Sequence, residues 1–253
     1  MAPAHEPAPG TPPTLDPAQL IAEARRAFFT VFTVVCLVWA VQLVNWLTDE
    51  RLALLHGIRA RDAGSLGYLL TAPFLHLNWQ HLEGNSGPLF VFGFLAAYRG
   101  VRKFLGLTAL VVVTSGMAVW LFERTDVVTV GASGVIFGYF GYVVLRGVFD
   151  RNLIDTLIGL AMGASFAYIL TTAVPGTPGV SWLGHLGGLV GGLAGAWIFR
   201  TRGAKAPASL TAAAARRNGA VPAPAEAPAQ PQIGPAPVSP RADLLKELDD
   251  LGL

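Results

Sequence analysis

"GASGVIFG", residues 131–138, lies inside a run apolar enough to cross a bilayer, yet it holds a hydroxyl, Ser133, among Gly131, Gly134 and Gly138. A polar group in lipid is costly and usually faces a partner or a water-filled cavity. Small residues four apart give a helix a smooth face on which another backbone can lie close. The same spacing recurs in "GHLGGLVGGLAG" (184–195), where Gly184, Gly188 and Gly192 form one row and Gly187, Gly191 and Gly195 another, around His185. If those two faces pack together, Ser133 and His185 come within hydrogen-bond reach.

Composition agrees with a membrane setting. The chain has 253 residues, 53% hydrophobic and 13% charged, with a mean hydropathy of +0.50. Soluble domains carry about 25% charge. The formal net charge of +2 gives no argument for a nucleic-acid partner. The single cysteine, Cys36, lies in an apolar run. It reads as a small membrane-facing side chain, with no internal disulfide framework.

Outward from the glycines, the pattern predicts an all-α membrane protein, a bundle of six transmembrane helices at 27–47, 77–98, 104–122, 129–146, 153–174 and 182–199. The links between the last five are short, as in antiparallel bundles. Residues 1–26 read as a disordered cytoplasmic tail, 27–200 as the six-helix domain, and 201–253 as an Ala/Pro-rich cytoplasmic tail. That tail ends in "RADLLKELDDLGL", a candidate short amphipathic helix. No basic region followed by an apolar core opens the chain, so no signal peptide is expected. The mixed segment 48–70 reads as interfacial and partly helical.

Positive charge sets the expected orientation. With a cytoplasmic N-terminus, the inner segments hold Arg25, Arg26, Arg99, Arg102, Lys103, Arg146, Arg151, Arg200, Arg202 and Lys205. The outer ones hold only Arg51, Arg59, Arg61 and Arg124. Both termini are then cytoplasmic, and the Ala/Gly/Pro bias points to the cell membrane of a high-GC bacterium. Spans two, four and six all begin on the outer side. At about 1.5 Å per residue, their polar residues share a level roughly 5–10 Å below the surface.

Those residues suit acyl transfer. Ser133 needs a base to become a nucleophile, and His185 is the candidate, serving afterwards as acid for the leaving amine. His81 and Asn85 stand four apart on span two, share a face, and can both donate to an oxyanion. The backbone N–H of Ser133 is a third candidate donor. No carboxylate neighbours His185 in sequence, so a dyad is expected.

With these residues in place, the chain resembles the rhomboid family of intramembrane serine proteases. "GASG" is similar to the family's Gly-x-Ser-Gly box, "GHLGGLVGG" to its sixth-helix motif, and "HLNWQHLEGN" (76–85) carries its His-x4-His-x3-Asn spacing. The resemblance implies a six-helix rhomboid-like core with Ser133 as nucleophile, His185 as base, and His81 and Asn85 in the oxyanion hole. It implies structural roles for His76, which would tie down the start of span two, and for Gly131, Gly134, Phe137 and Gly188 beside the site. Transmembrane helices cut near the outer face would be the substrates, with no cofactor or metal. The pattern departs from the family where many members have a Trp-Arg pair, at Gly67 and Tyr68. It departs also at Phe137, commonly a tyrosine, and at Glu83, an unexpected acid.

Three rival readings are weaker. A non-catalytic relative that only binds transmembrane helices would be signalled by loss of Ser133 or His185, and both are present. A metal site from His76, His81, Glu83 and His185 lacks the i, i+4 histidine pair of HExxH. A transporter would show an internal repeat with broken helices, and none is visible. The loop "VPGTPGV" (174–180) is expected to cap the cavity, with spans two and five parting to admit a substrate from the lipid.

Overall fold

The computed structural model describes residues 17–201. Most of the expected N-terminal tail and the candidate helix in 241–253 lie outside the described residues. Seven α-helices are present among the described residues: α1 (Pro17–Leu47), α2 (Arg51–His56), α3 (Trp79–Ala97), α4 (Val101–Phe122), α5 (Ser133–Asp150), α6 (Leu153–Phe166) and α7 (Trp182–Ile198). Three stretches are long and apolar enough to cross a membrane: Pro17–Leu47, Val101–Phe122 and Leu153–Ala173. The shorter α3, α5 and α7 carry the polar residues and most of the glycines discussed above.

α1 starts ten residues before its expected span, so 17–26, expected to belong to the disordered tail, is helical. Pro17 supplies a preset φ at the first helical position, and "AQLIAEARRA" (18–27) consists of good helix formers. Its buried residues Ala27, Val31, Val38, Gln42 and Asn45 form one stripe, and Val31 fills the space left by Gly93 of α3. The remaining apolar surface faces outward: Trp46 is 53% exposed, Phe122 68%, Leu153 72% and Leu160 68%. A shell of large apolar side chains around helices that satisfy their own backbones is what a lipid environment requires.

α7 is the central element, packed against both α4 and α5. A Cβ at Gly188 or Gly192 would collide with the carbonyl oxygens of Gly134 and Gly138 on α5. A Cβ at Gly187 would lie 2.6 Å from Cβ of Ala118, and one at Gly191 would strike Thr114, both on α4. Gly188 and Gly192 thus serve α5, while Gly187, Gly191 and Gly195 serve α4.

The segment before α5 differs from expectation. Residues 129–132 were expected to open span four, but Val128–Thr129 form a strand, β2, antiparallel to β1 (Ile58–Arg59), with Ile58 opposite Thr129. The β-branched run "VVTV" (127–130) resists helix formation. Gly131, at φ 120°, then turns the chain into α5, and its N–H donates to the Ala72 carbonyl at 2.9 Å.

At the opposite end of α5, Arg151 adopts a left-handed conformation, and Asn152 caps α6 by accepting from the Asp155 N–H at 3.1 Å. Asp155 is buried and pairs with both Arg99 and Arg146, and Arg146 also donates to the Leu95 carbonyl. This cluster joins the ends of α3, α5 and α6. α6 is not uniformly helical to residue 174: after Phe166 it tightens into a 3-10 turn, Ala167–Ala173.

Candidate active site

Ser133 is the first residue of α5 rather than a residue inside it. Its own N–H is therefore among the first-turn groups that have no intrahelical partner, at the positive end of the helix macrodipole. His81 is the third residue of α3, and its N–H is capped by Asn78 Oδ1 at 2.8 Å. His185 is the fourth residue of α7, whose first turn is capped by Ser181. Three helix N-termini thus converge on one cavity of about 700 Å3, lined by Ser133, His185, His81 and Asn85 among others.

Close backbone approach brings these residues together. A Cβ on Gly131 would lie 2.7 Å from Cε1 and 2.9 Å from Nε2 of His81, so only glycine admits that ring beside the residue pair before Ser133. A Cβ on Gly134 would lie 3.0 Å from the Gly184 carbonyl oxygen, which accepts from Ser115 Oγ at 2.8 Å. Gly134 and Gly188 hold the N-terminal turn of α5 against the turn of α7 that bears His185, and Gly131 seats the His81 ring of α3.

The imidazole of His185 is buried and stacks flat on Phe137, centroids 4.2 Å apart and planes 12° apart. Its Nδ1 lies 2.9 Å from the Thr172 carbonyl oxygen and 3.1 Å from Thr172 Oγ1. Asn85 is buried in the cavity wall, and its Nδ2 has no hydrogen-bond partner among the described residues. His76 is fully buried, 4.9 Å from His81 ring to ring. It accepts from the Ala132 N–H through Nε2 at 3.4 Å, and its carbonyl accepts from Asn45 Nδ2 at 3.0 Å. Glu83 is exposed on α3 and does not line the cavity. Tyr68, at one of the departing positions, sits edge-on to His56 in the 3-10 turn Ala63–Leu69.

Two contributors were not anticipated from sequence. Thr172 meets His185 Nδ1 through both its carbonyl and its hydroxyl, and Ser115 of α4 ties down the carbonyl preceding His185. The spacing "TT" (171–172) carries no motif, and Ser115 stands alone in an apolar helix.

Fold and cavity define a helical integral membrane protein whose polar site is built at the ends of tightly packed helices. Residues 63–202 match the model of the rhomboid domain. An uncharacterized protein of Mycobacterium tuberculosis is 36% identical over 195 residues, covering 73% of this chain and 80% of that protein. An uncharacterized protein of Mycobacterium leprae is 36% identical over 180 residues, covering 67% of this chain and 70% of that protein. YdcA of Bacillus subtilis, which bears a provisional assignment as a rhomboid protease, is 29% identical over 187 residues, covering 66% of this chain and 88% of that protein. The chain belongs to the rhomboid family.

Proposed function

We propose that this protein is an intramembrane serine endopeptidase acting through a Ser133–His185 dyad on transmembrane-helix substrates. The reading includes six membrane spans with both termini cytoplasmic and cleavage near the outer face of a bacterial cell membrane. The observation that carries it is the shared cavity: a serine at a helix N-terminus, an imidazole anchored through Nδ1, and an amide donor with no partner among the described residues open into one space.

The chemistry follows from those groups. His185 Nε2 takes the proton of Ser133 Oγ as the oxygen attacks the scissile carbonyl. Negative charge develops on the carbonyl oxygen and meets the donors of Asn85 Nδ2, His81 and the Ser133 N–H. The tetrahedral adduct collapses, and the imidazolium gives its proton to the leaving amine. Water, deprotonated by the same nitrogen, then hydrolyses the acyl-enzyme.

Labelling with a fluorophosphonate tests the reading. Wild type should become labelled, whereas Ser133→Ala and His185→Ala should lose both labelling and cleavage while keeping the wild-type melting temperature. The losses should not add in the double variant, because the pair acts as a unit. Substantial cleavage by either purified variant would sink the dyad.

A further inference from the structure

Resting on the Ser133–His185 reading, we infer that Thr172 is the positioning residue of the base: its hydroxyl joins its carbonyl in holding the Nδ1 proton of His185, and it does so from the turn that follows α6. A carbonyl oxygen can only accept, so the 2.9 Å contact between Thr172 O and Nδ1 places a proton on Nδ1. The hydroxyl of Thr172 donates to the Ile169 carbonyl at 2.8 Å, so toward the ring it too presents a lone pair, at 3.1 Å from Nδ1. A neutral imidazole has one N–H, which leaves Nε2 as the basic nitrogen. In a Ser-His-Asp triad a carboxylate performs this task. Here two neutral oxygens of one residue perform it, and Phe137 fixes the plane of the ring from its face.

The contribution grows during the reaction. When Nε2 receives the serine proton the ring becomes cationic, and the bonds from Nδ1–H to Thr172 become charge-assisted, roughly twice as strong as neutral ones. An interaction that strengthens only then raises kcat and leaves KM unchanged. Its location adds a condition. Thr172 lies in the 3-10 turn Ala167–Ala173, not on α7, so the base is correctly held only while that turn rests against His185.

The test uses the full chain with Thr172→Val, which keeps the shape and loses the hydroxyl, and Thr172→Ser, which restores it. The readouts are fluorophosphonate labelling of Ser133, kcat and KM on a transmembrane reporter peptide cleaved by wild type, and the melting temperature. Thr172→Val should lower kcat and the labelling rate together by roughly tenfold, the order expected for one hydrogen bond to a charged group. KM and melting temperature should stay at wild-type values. Thr172→Ser should return both rates to within about twofold of wild type. Wild-type rates in Thr172→Val, or equal impairment in Thr172→Ser, would overturn the inference. Absence of Ser133-dependent labelling in wild type would instead overturn the dyad, and the inference with it.

Discussion

Asn85 is a buried amide whose Nδ2 has no acceptor among the described residues. Leaving such a donor unsatisfied costs about 1–3 kcal/mol, a cost that a developing oxyanion in the cavity would offset. Removal of one donor of this kind lowers kcat on the order of 10²–10³. Asn85→Ala should therefore slow turnover on that scale while Ser133 still labels slowly, since the Ser–His pair is untouched. His81→Ala should behave alike, with an added loss of order because its ring packs beside Gly131 and His76. Full activity in both variants, measured on a membrane-embedded reporter, would remove these residues from the site. At this scale the sequence was informative about which side chains share the cavity, as with Ser133, His81, Asn85 and His185. It was silent on Thr172, because one of its two contacts is a backbone carbonyl that belongs to no residue type, and a hydroxyl thirteen residues from His185 follows no helical spacing.

Among the elements, α7 depends most on side-chain size. Gly188→Ala should destabilise the protein by about 1–3 kcal/mol, the usual cost of overpacking, because the methyl meets the Gly134 carbonyl. Activity should fall further than stability, since the same contact sets the distance between the turns bearing Ser133 and His185. Gly163→Ala on α6 is the matched control. Its methyl would meet only the Val144 side chain, Cγ2 at 3.6 Å and Cγ1 at 3.8 Å, so melting temperature and activity should remain within error of wild type. Equal effects from the two substitutions would show that the α5–α7 seam does not govern the site. This seam was readable in advance, because the Gly-x-x-x-Gly rows state which faces are smooth. The start of α5 was not. In "VVTVGAS" (127–133) an apolar β-branched run suits a membrane helix as well as a strand, and only pairing with Ile58–Arg59 decides between them. The arginines near the helix ends were read as marks of orientation. Two of them, Arg99 and Arg146, also converge on buried Asp155, a long-range pairing that no local pattern announces.

Across the whole molecule, α6 is held unevenly. Near its start Asp155 is clamped by two arginines, and Gly159 lies so close to α5 that a Cβ would lie 2.6 Å from the Val144 carbonyl. Near its end the contact with α3 is the edge-on packing of Phe166 on Phe92, centroids 5.0 Å apart, and the uncharged loop 174–180 follows, with Thr177, Pro178 and Gly179 in the cavity wall. Substrate is therefore expected to pass between α3 and the end of α6. A disulfide joining those two ends, in a Cys36→Ser background because Cys36 is exposed, should abolish cleavage of a transmembrane reporter while sparing reaction with a small phosphonate. Equal cleavage before and after reduction would refute passage there.

The order of the helices along the chain has a consequence for biosynthesis. Ser133 is translated with α5, but His185 arrives only with α7, the last helix of the described chain. Until α7 slots between α4 and α5, the nascent protein carries Ser133 without the His185 imidazole that the proposed dyad requires. A ribosome stalled before Trp182 should thus release a product inert toward its neighbours in the membrane. If the proposed dyad is right, proteolytic competence would begin with the insertion of one glycine-rich helix.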